Sequence, residues 1–359
     1  MKTKLSRLTP WIAAAALACM ALPQASFARI DAADAQRSVP DMLQISWSSA
    51  NPVDIYRAEG RDFRIDGAHL LVKGATGGHY SLAAIDGARR YLILRDTTDG
   101  YRRDLAERVV PMAQGSNVRD IGGYPTANGK HVRWGQIYRS GGQAMLTAQD
   151  SDRIKGLGIA QLVDLRSSEE RVIAPTRIQG VPYSAVGYSM IDMMAKGSGG
   201  QLRNGADVYH NFPHFLAPQL KLVFSDLLDR KAPLLYNCSA GQDRTGFVTA
   251  MIHSALGVPR ESIVSDYLLS TRYRHPEWEM PLLDSAAHPD DPVVQLFAKY
   301  QQRPNWKTPD LLIDAQGQPF LSGAFDEINT RWGSVEAYLD QEVGVHHADL
   351  ERLRALYLE

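Results

Sequence analysis

Asn237-Cys238-Ser239-Ala240-Gly241-Gln242-Asp243-Arg244-Thr245-Gly246 sets a thiol and a guanidinium six positions apart around a short, glycine-containing loop. The preceding run Ala232-Pro233-Leu234-Leu235-Tyr236 reads as a buried strand, and residues 246–256 carry helical apolar spacing closed by Gly257. Strand, tight loop and helix N-terminus therefore follow in order. In that frame the backbone N–H groups of residues 239–244 can converge on one anion, helped by the positive end of the helix. The same field favours negative charge on the Cys238 sulfur, so the stretch reads as an oxyanion cradle with a nucleophile at its base.

Outward from this loop, strands alternate with helices. Residues 134–138, 160–164 and 233–237 have strand character, while 219–228, 245–256 and 260–269 carry helix-period apolar residues. That order predicts an α/β sheet flanked by helices, with the loop at the carboxyl end of a central strand. Residues 189–215 are less regular, with Met190, Met193, Met194 and the Gly197-Ser198-Gly199-Gly200 cluster, and read as a candidate lid near the pocket. The Pro-rich, polar stretch 275–319 reads as a second insertion, after which 335–358 returns to amphipathic helix.

Residues 29–112 have a different character. Leu43, Ile45 and Trp47 alternate, followed by the pairs Val53/Ile55, Leu70/Val72, Tyr80/Leu82 and Tyr91/Ile93, with turn residues such as Asp66-Gly67 and Gly77-Gly78 between them. Short strands at this spacing predict a small all-β sandwich domain ahead of residues 113–359. Ile45-Ser46-Trp47 and Arg90-Tyr91-Leu92-Ile93-Leu94 are similar to fibronectin type III strands, and a structural or substrate-presenting role is expected.

The N-terminus reads as an export signal over residues 1–28. Lys2, Lys4 and Arg7 form a basic start, residues 11–22 an apolar stretch, and Ser26-Phe27-Ala28 a small-residue cleavage site. A lipoprotein alternative would place the processed residue at Cys19, but Ala16 stands where a larger aliphatic residue is usual. Cleavage after residue 28 leaves 36 basic against 40 acidic residues, about −4 with histidines neutral, which invites neither nucleic acid nor an anionic membrane surface. It also removes Cys19, so Cys238 is left as the lone thiol, hazardous in an oxidising compartment unless it has chemical work. The histidines offer no metal site: His210 and His214 are four apart, but Pro213 disfavours one continuous helical face.

Cys238, five residues, Arg244 and Thr245 match the signature of the cysteine-based phosphatases, and the chain resembles that family. Asn117-Val118-Arg119-Asp120-Ile121-Gly122-Gly123-Tyr124, Arg139-Ser140-Gly141 and Leu162-Val163-Asp164-Leu165-Arg166 are similar to blocks of its bacterial and fungal tyrosine phosphatase branch, which includes secreted enzymes. The resemblance implies metal-independent hydrolysis of a phosphomonoester, without cofactor, through a phosphocysteine on Cys238. Arg244 and the loop residues Ser239, Ala240, Gly241, Gln242 and Asp243 would hold the phosphoryl oxygens. Thr245 would stabilise the departing thiolate. Asp243 is the expected general acid and Asp164 the runner-up. The expected partner is a phosphorylated protein or small phosphomonoester, with no stable membrane association. Phosphoinositide or dual-specificity hydrolysis, or a binding-only pseudo-enzyme, are the alternatives. Two departures matter: Asn237 precedes the nucleophile where the family usually has His, and Gln242 stands where many members carry Lys. The second removes a cation that would help bind a highly anionic headgroup, so phosphotyrosine is expected ahead of phosphoinositides.

Overall fold

The computed structural model describes residues 30–39, 41–85, 87–192 and 205–359. The expected export signal and the Met193, Met194 and Gly197–Gly200 part of the expected lid lie outside these residues.

The first seven strands are β1 (Asp31–Val39), β2 (Met42–Ser48), β3 (Val53–Ala58), β4 (His69–Ala75), β5 (His79–Ala83), β6 (Tyr91–Asp96) and β7 (Arg102–Ala106). They form a three-stranded sheet, β1-β2-β5, and a four-stranded sheet, β4-β3-β6-β7, with every pairing antiparallel. The alternation of Leu43, Ile45 and Trp47 buries those side chains against Val53, Ile55, Leu92 and Leu94, so the two sheets share one core. β1 and β7 escape the alternation pattern because both are polar. β1 is a strand through its pairing with β2, not through its own apolar residues.

A third sheet is built from β8 (Arg119–Asp120), β9 (Ile137–Ser140), β10 (Gln161–Asp164), β11 (Tyr183–Ala185) and β12 (Leu234–Asn237), in the order β11-β10-β12-β9-β8. β9 to β12 run parallel and β8 is antiparallel to β9. β12 is buried along its length between β9 and β10, as a strand covered on both faces must be. The helices Ala217–Leu228, Asp243–Ala255, Leu321–Trp332 and His347–Tyr357 pack one face through Val223, Phe224, Val248, Met251, Ile328 and Leu353. Tyr138, Ile154, Leu162 and Leu235 close the other face.

Several elements depart from the sequence reading for local reasons. The strand expected over 134–138 begins at Ile137, because Gly135 turns the chain at φ +74° and sends Trp134 into the core of the β-sandwich. The excursion 189–215 contains a regular helix, Gly205–Phe215, on which Pro213 is tolerated near the C-terminal end. His210 and His214 therefore do share a face, and both reach Glu327, at 4.0 and 2.8 Å. The stretch 335–358 is divided: Gly344, at φ +78°, ends a π turn over Leu339–Val343 before the helix His347–Tyr357 starts.

Candidate active site

Three parallel strand ends converge where β12 stops, since Asn237 is in register with Asp164 on β10 and Ser140 on β9. Cys238 follows, 1% exposed, and the chain turns through Gly241 at φ +62° into the helix Asp243–Ala255. A Cβ on Gly241 would lie 2.5 Å from the backbone of Ser140 and Gly141, so only glycine fits there.

The loop's carbonyls are drawn outward. Ser239 O accepts from Gly142 N at 2.7 Å, Gly241 O from Asn117 Nδ2 at 2.7 Å and Arg139 Nη2 at 2.8 Å, and Gln242 O from Gly246 N at 3.0 Å. The N–H groups of Ser239, Ala240, Gly241, Gln242, Asp243 and Arg244 are left without a hydrogen-bonded partner among the described residues, and they sit at the N-terminus of the helix. Beneath the loop, Arg139 and Arg119 share the buried carboxylate of Asp266, at 2.8 and 3.4 Å. Burial and the adjacent Arg139 charge bring Arg119 down to about 10. Burial opposes the charge of Asp266, but both guanidiniums hold its carboxyl far below the usual range. Asn117, at φ +58°, also accepts from Arg119, so the block beginning at Asn117 is the scaffold of the loop.

Arg244 meets a carboxylate that sequence reasoning missed. Glu170 is buried in the helix Ser168–Ile173 and accepts from Nη1 and Nη2 of Arg244, each at 2.7 Å, while Ser239 Oγ donates to it at 2.6 Å. Tyr188 accepts from Nη1. Burial works against the charge of Glu170, yet the Arg244 guanidinium and the Ser239 hydroxyl hold its carboxyl down to about 2. Arg244 Nε has no partner among the described residues, and the side chain lines the cavity.

The two candidate acids are placed differently. Asp243 is the first residue of the helix and lines the cavity, with Oδ1 accepting from Tyr209 Oη at 2.6 Å. Asp164 is fully buried at the end of β10, held by Arg166 Nε and Nη2 at 2.9 and 2.7 Å and by Tyr183 Oη at 3.0 Å. Its place is beside the loop rather than in the cavity. Thr245 Oγ1 is buried without a hydrogen-bond partner among the described residues. The Asn237 side-chain amide donates to Cys238 O at 3.2 Å and has no other partner among the described residues.

Above the loop opens a cavity of about 400 Å³. Cys238, Gln242, Asp243 and Arg244 make its floor, and Phe297, Tyr300 and Trp306 stand among its walls. These aromatics come from the stretch read as an insertion, where Asp291 caps the helix Pro292–Gln301 by accepting from Val293 N and Val294 N at 2.9 and 3.0 Å. Gln242 Oε1 accepts from Arg274 Nη1 at 3.3 Å, and Arg274 is bound twice by Glu279, at 2.7 and 3.0 Å.

Residues 110–359 match the model of the tyrosine phosphatase family. A Cupriavidus necator protein named for the tyrosine-protein phosphatases is 31% identical over 275 residues, which span 72% of this chain and 89% of that protein. The triple specificity protein phosphatase PtpB of Mycobacterium tuberculosis is 28% identical over 292 residues, 71% of this chain and 100% of that protein. Among solved structures, P. aeruginosa TpbA aligns with a TM-score of 0.26 at 14% identity, over 47% of this chain and 83% of that one.

Proposed function

Because the chain belongs to the tyrosine phosphatase family, we propose that it hydrolyses phosphotyrosine in proteins through a covalent intermediate on Cys238. The observation that carries this is the run of loop N–H groups without a partner among the described residues, next to a buried thiol and with Arg244 lining the same cavity. The Cys238 sulfur attacks phosphorus, the S–P bond forms and the P–O bond to the tyrosyl oxygen breaks. Charge spreading over the three equatorial oxygens is met by the loop N–H groups and Arg244, which Glu170 holds by accepting from both of its Nη groups. The proton on Asp243 passes to the leaving phenolate. In the second step water attacks phosphorus, Asp243 takes its proton, and the Thr245 hydroxyl meets the departing thiolate. Asp164 has a structural part, since Arg166 and Tyr183 already occupy its oxygens.

The aromatic walls support phosphotyrosine over phosphoserine, because Phe297, Tyr300 and Trp306 offer a phenyl ring apolar and edge contacts that the short phosphoserine side chain cannot make. The charge balance disfavours a phosphoinositide headgroup: the guanidinium nearest Gln242, Arg274, is matched by Glu279. The basic start and apolar stretch of residues 1–28 support export, with the mature enzyme free of a stable membrane attachment.

Phosphate release from a phosphotyrosine peptide tests the reading. Cys238→Ser should still bind vanadate but lose turnover, and Arg244→Lys should lose at least about 100-fold in kcat because the planar fork is gone. Turnover of Cys238→Ser near the parent rate, or activity abolished by a chelator and restored by zinc, would assign the chain another chemistry.

A further inference from the structure

Asp243 does not stand alone in the cavity. Tyr209, on the helix Gly205–Phe215, is 2% exposed and donates to Asp243 Oδ1 at 2.6 Å. Its own oxygen accepts from Tyr267 Oη at 2.7 Å, so two phenols in series end on one oxygen of the carboxyl group. Packing fixes both rings: Tyr209 meets Tyr267 edge-on, with centroids 5.9 Å apart at 84°, and lies 4.7 Å from Phe212. Burial, then the Asp243 charge, pushes the Tyr209 phenol well above its ordinary pKa, so it stays a donor at working pH. Oδ2 has no partner among the described residues.

A proton on a carboxyl group can sit on either oxygen, and a donor already on Oδ1 leaves Oδ2 as the seat of the proton. We propose that Tyr209, backed by Tyr267, is a positioning residue that turns the proton-bearing Oδ2 of Asp243 towards the leaving oxygen. The proton leaves Oδ2 as the P–O bond breaks and returns to Oδ2 from the attacking water. The inference rests on Asp243 being the general acid.

Four variants, Asp243→Asn, Tyr209→Phe, Tyr267→Phe and the double variant Asp243→Asn/Tyr209→Phe, are to be compared on a phosphotyrosine peptide and on an aryl phosphate whose phenol is strongly acidic. Asp243→Asn should lose roughly 100-fold in kcat on the peptide and far less on the activated ester. Tyr209→Phe should lose about tenfold on the peptide and less than about threefold on the activated ester, with KM and vanadate inhibition within about twofold of the parent. Tyr267→Phe should show the same pattern more weakly, and it carries the test if Tyr209→Phe folds poorly. The double variant should be no slower than Asp243→Asn, because the tyrosine acts through the acid. Equal loss on both substrates, additive losses, or weakened vanadate binding would overturn the role of Tyr209. If Asp243→Asn itself slows both substrates alike, the assignment of the acid fails instead.

Discussion

Cys238 and Arg244 are legible because their meaning is local: spacing, a glycine and a helix start lie within ten residues. Glu170 is not, because its bond to Arg244 spans 74 residues of sequence and its spacing from Ser167 already has a sufficient explanation as a capping box. Only the fold brings the carboxylate to the arginine. Its charge is therefore a test at the scale of one residue. The folded-state pKa of Glu170 lies at about 2, below the ordinary 4.5, so the group stabilises the folded state fully above 4.5 and loses that contribution as pH falls towards 2. Glu170→Gln should lower kcat/KM roughly 10- to 100-fold, since a mostly buried guanidinium loses its counter-charge. The melting-temperature gap between parent and variant should be widest near neutral pH and close as the solution is acidified through 4.5 to 2. A gap independent of pH would mean that shape, not charge, holds Arg244.

At the scale of elements, β12 and the helix after it follow from apolar runs and from Gly257, so the frame of the loop was readable. The helices Gly205–Phe215 and Pro292–Gln301 were not, for a shared reason. Glycine, proline and polar residues flank them, and each helix owes its stability to tertiary packing more than to propensity: Tyr209 and Phe212 insert into the main core, and Val293, Val294 and Ala298 are covered. Missing the second helix meant missing the walls of the cavity. If Phe297 and Tyr300 grip the ring of the substrate, Phe297→Ala and Tyr300→Ala should each lower kcat/KM on a phosphotyrosine peptide by about tenfold, through KM. Hydrolysis of a phosphoserine peptide should change less than about twofold. A parallel drop on both peptides would place the contribution of the helix in folding rather than in selectivity.

At the scale of the molecule, the β-sandwich and the α/β unit share side chains across their boundary. Trp134 leaves the second unit to fill the core of the first, and it packs so closely on Gly123 that a Cβ there would lie 2.0 Å from the indole, which gives the Gly122-Gly123 turn its reason. In return Arg89 of the sandwich is buried against the second unit, donating to Asp120 Oδ2 at 2.6 Å and to Tyr138 Oη at 2.8 Å. Asp120 also accepts from Gly122 N and Gly135 N, and it adjoins Arg119, which with Asn117 underlies the phosphate loop. A buried ion pair thus helps tie the sandwich to the scaffold of the active site. Arg89→Ala leaves a fully buried carboxylate without its counter-ion, at a cost of roughly 3–5 kcal/mol, and should lower the melting temperature by roughly 5–10 °C. Arg89→Lys should recover only part of this, since an ammonium cannot serve Asp120, Tyr138 and the Glu107 carbonyl in one plane. A chain starting near residue 107 loses Arg89 and bares Trp134 together, so it should be recovered mainly as aggregate. Were such a chain soluble and as active per molecule as the parent, the sandwich would be an appendage and the ion pair incidental to the loop.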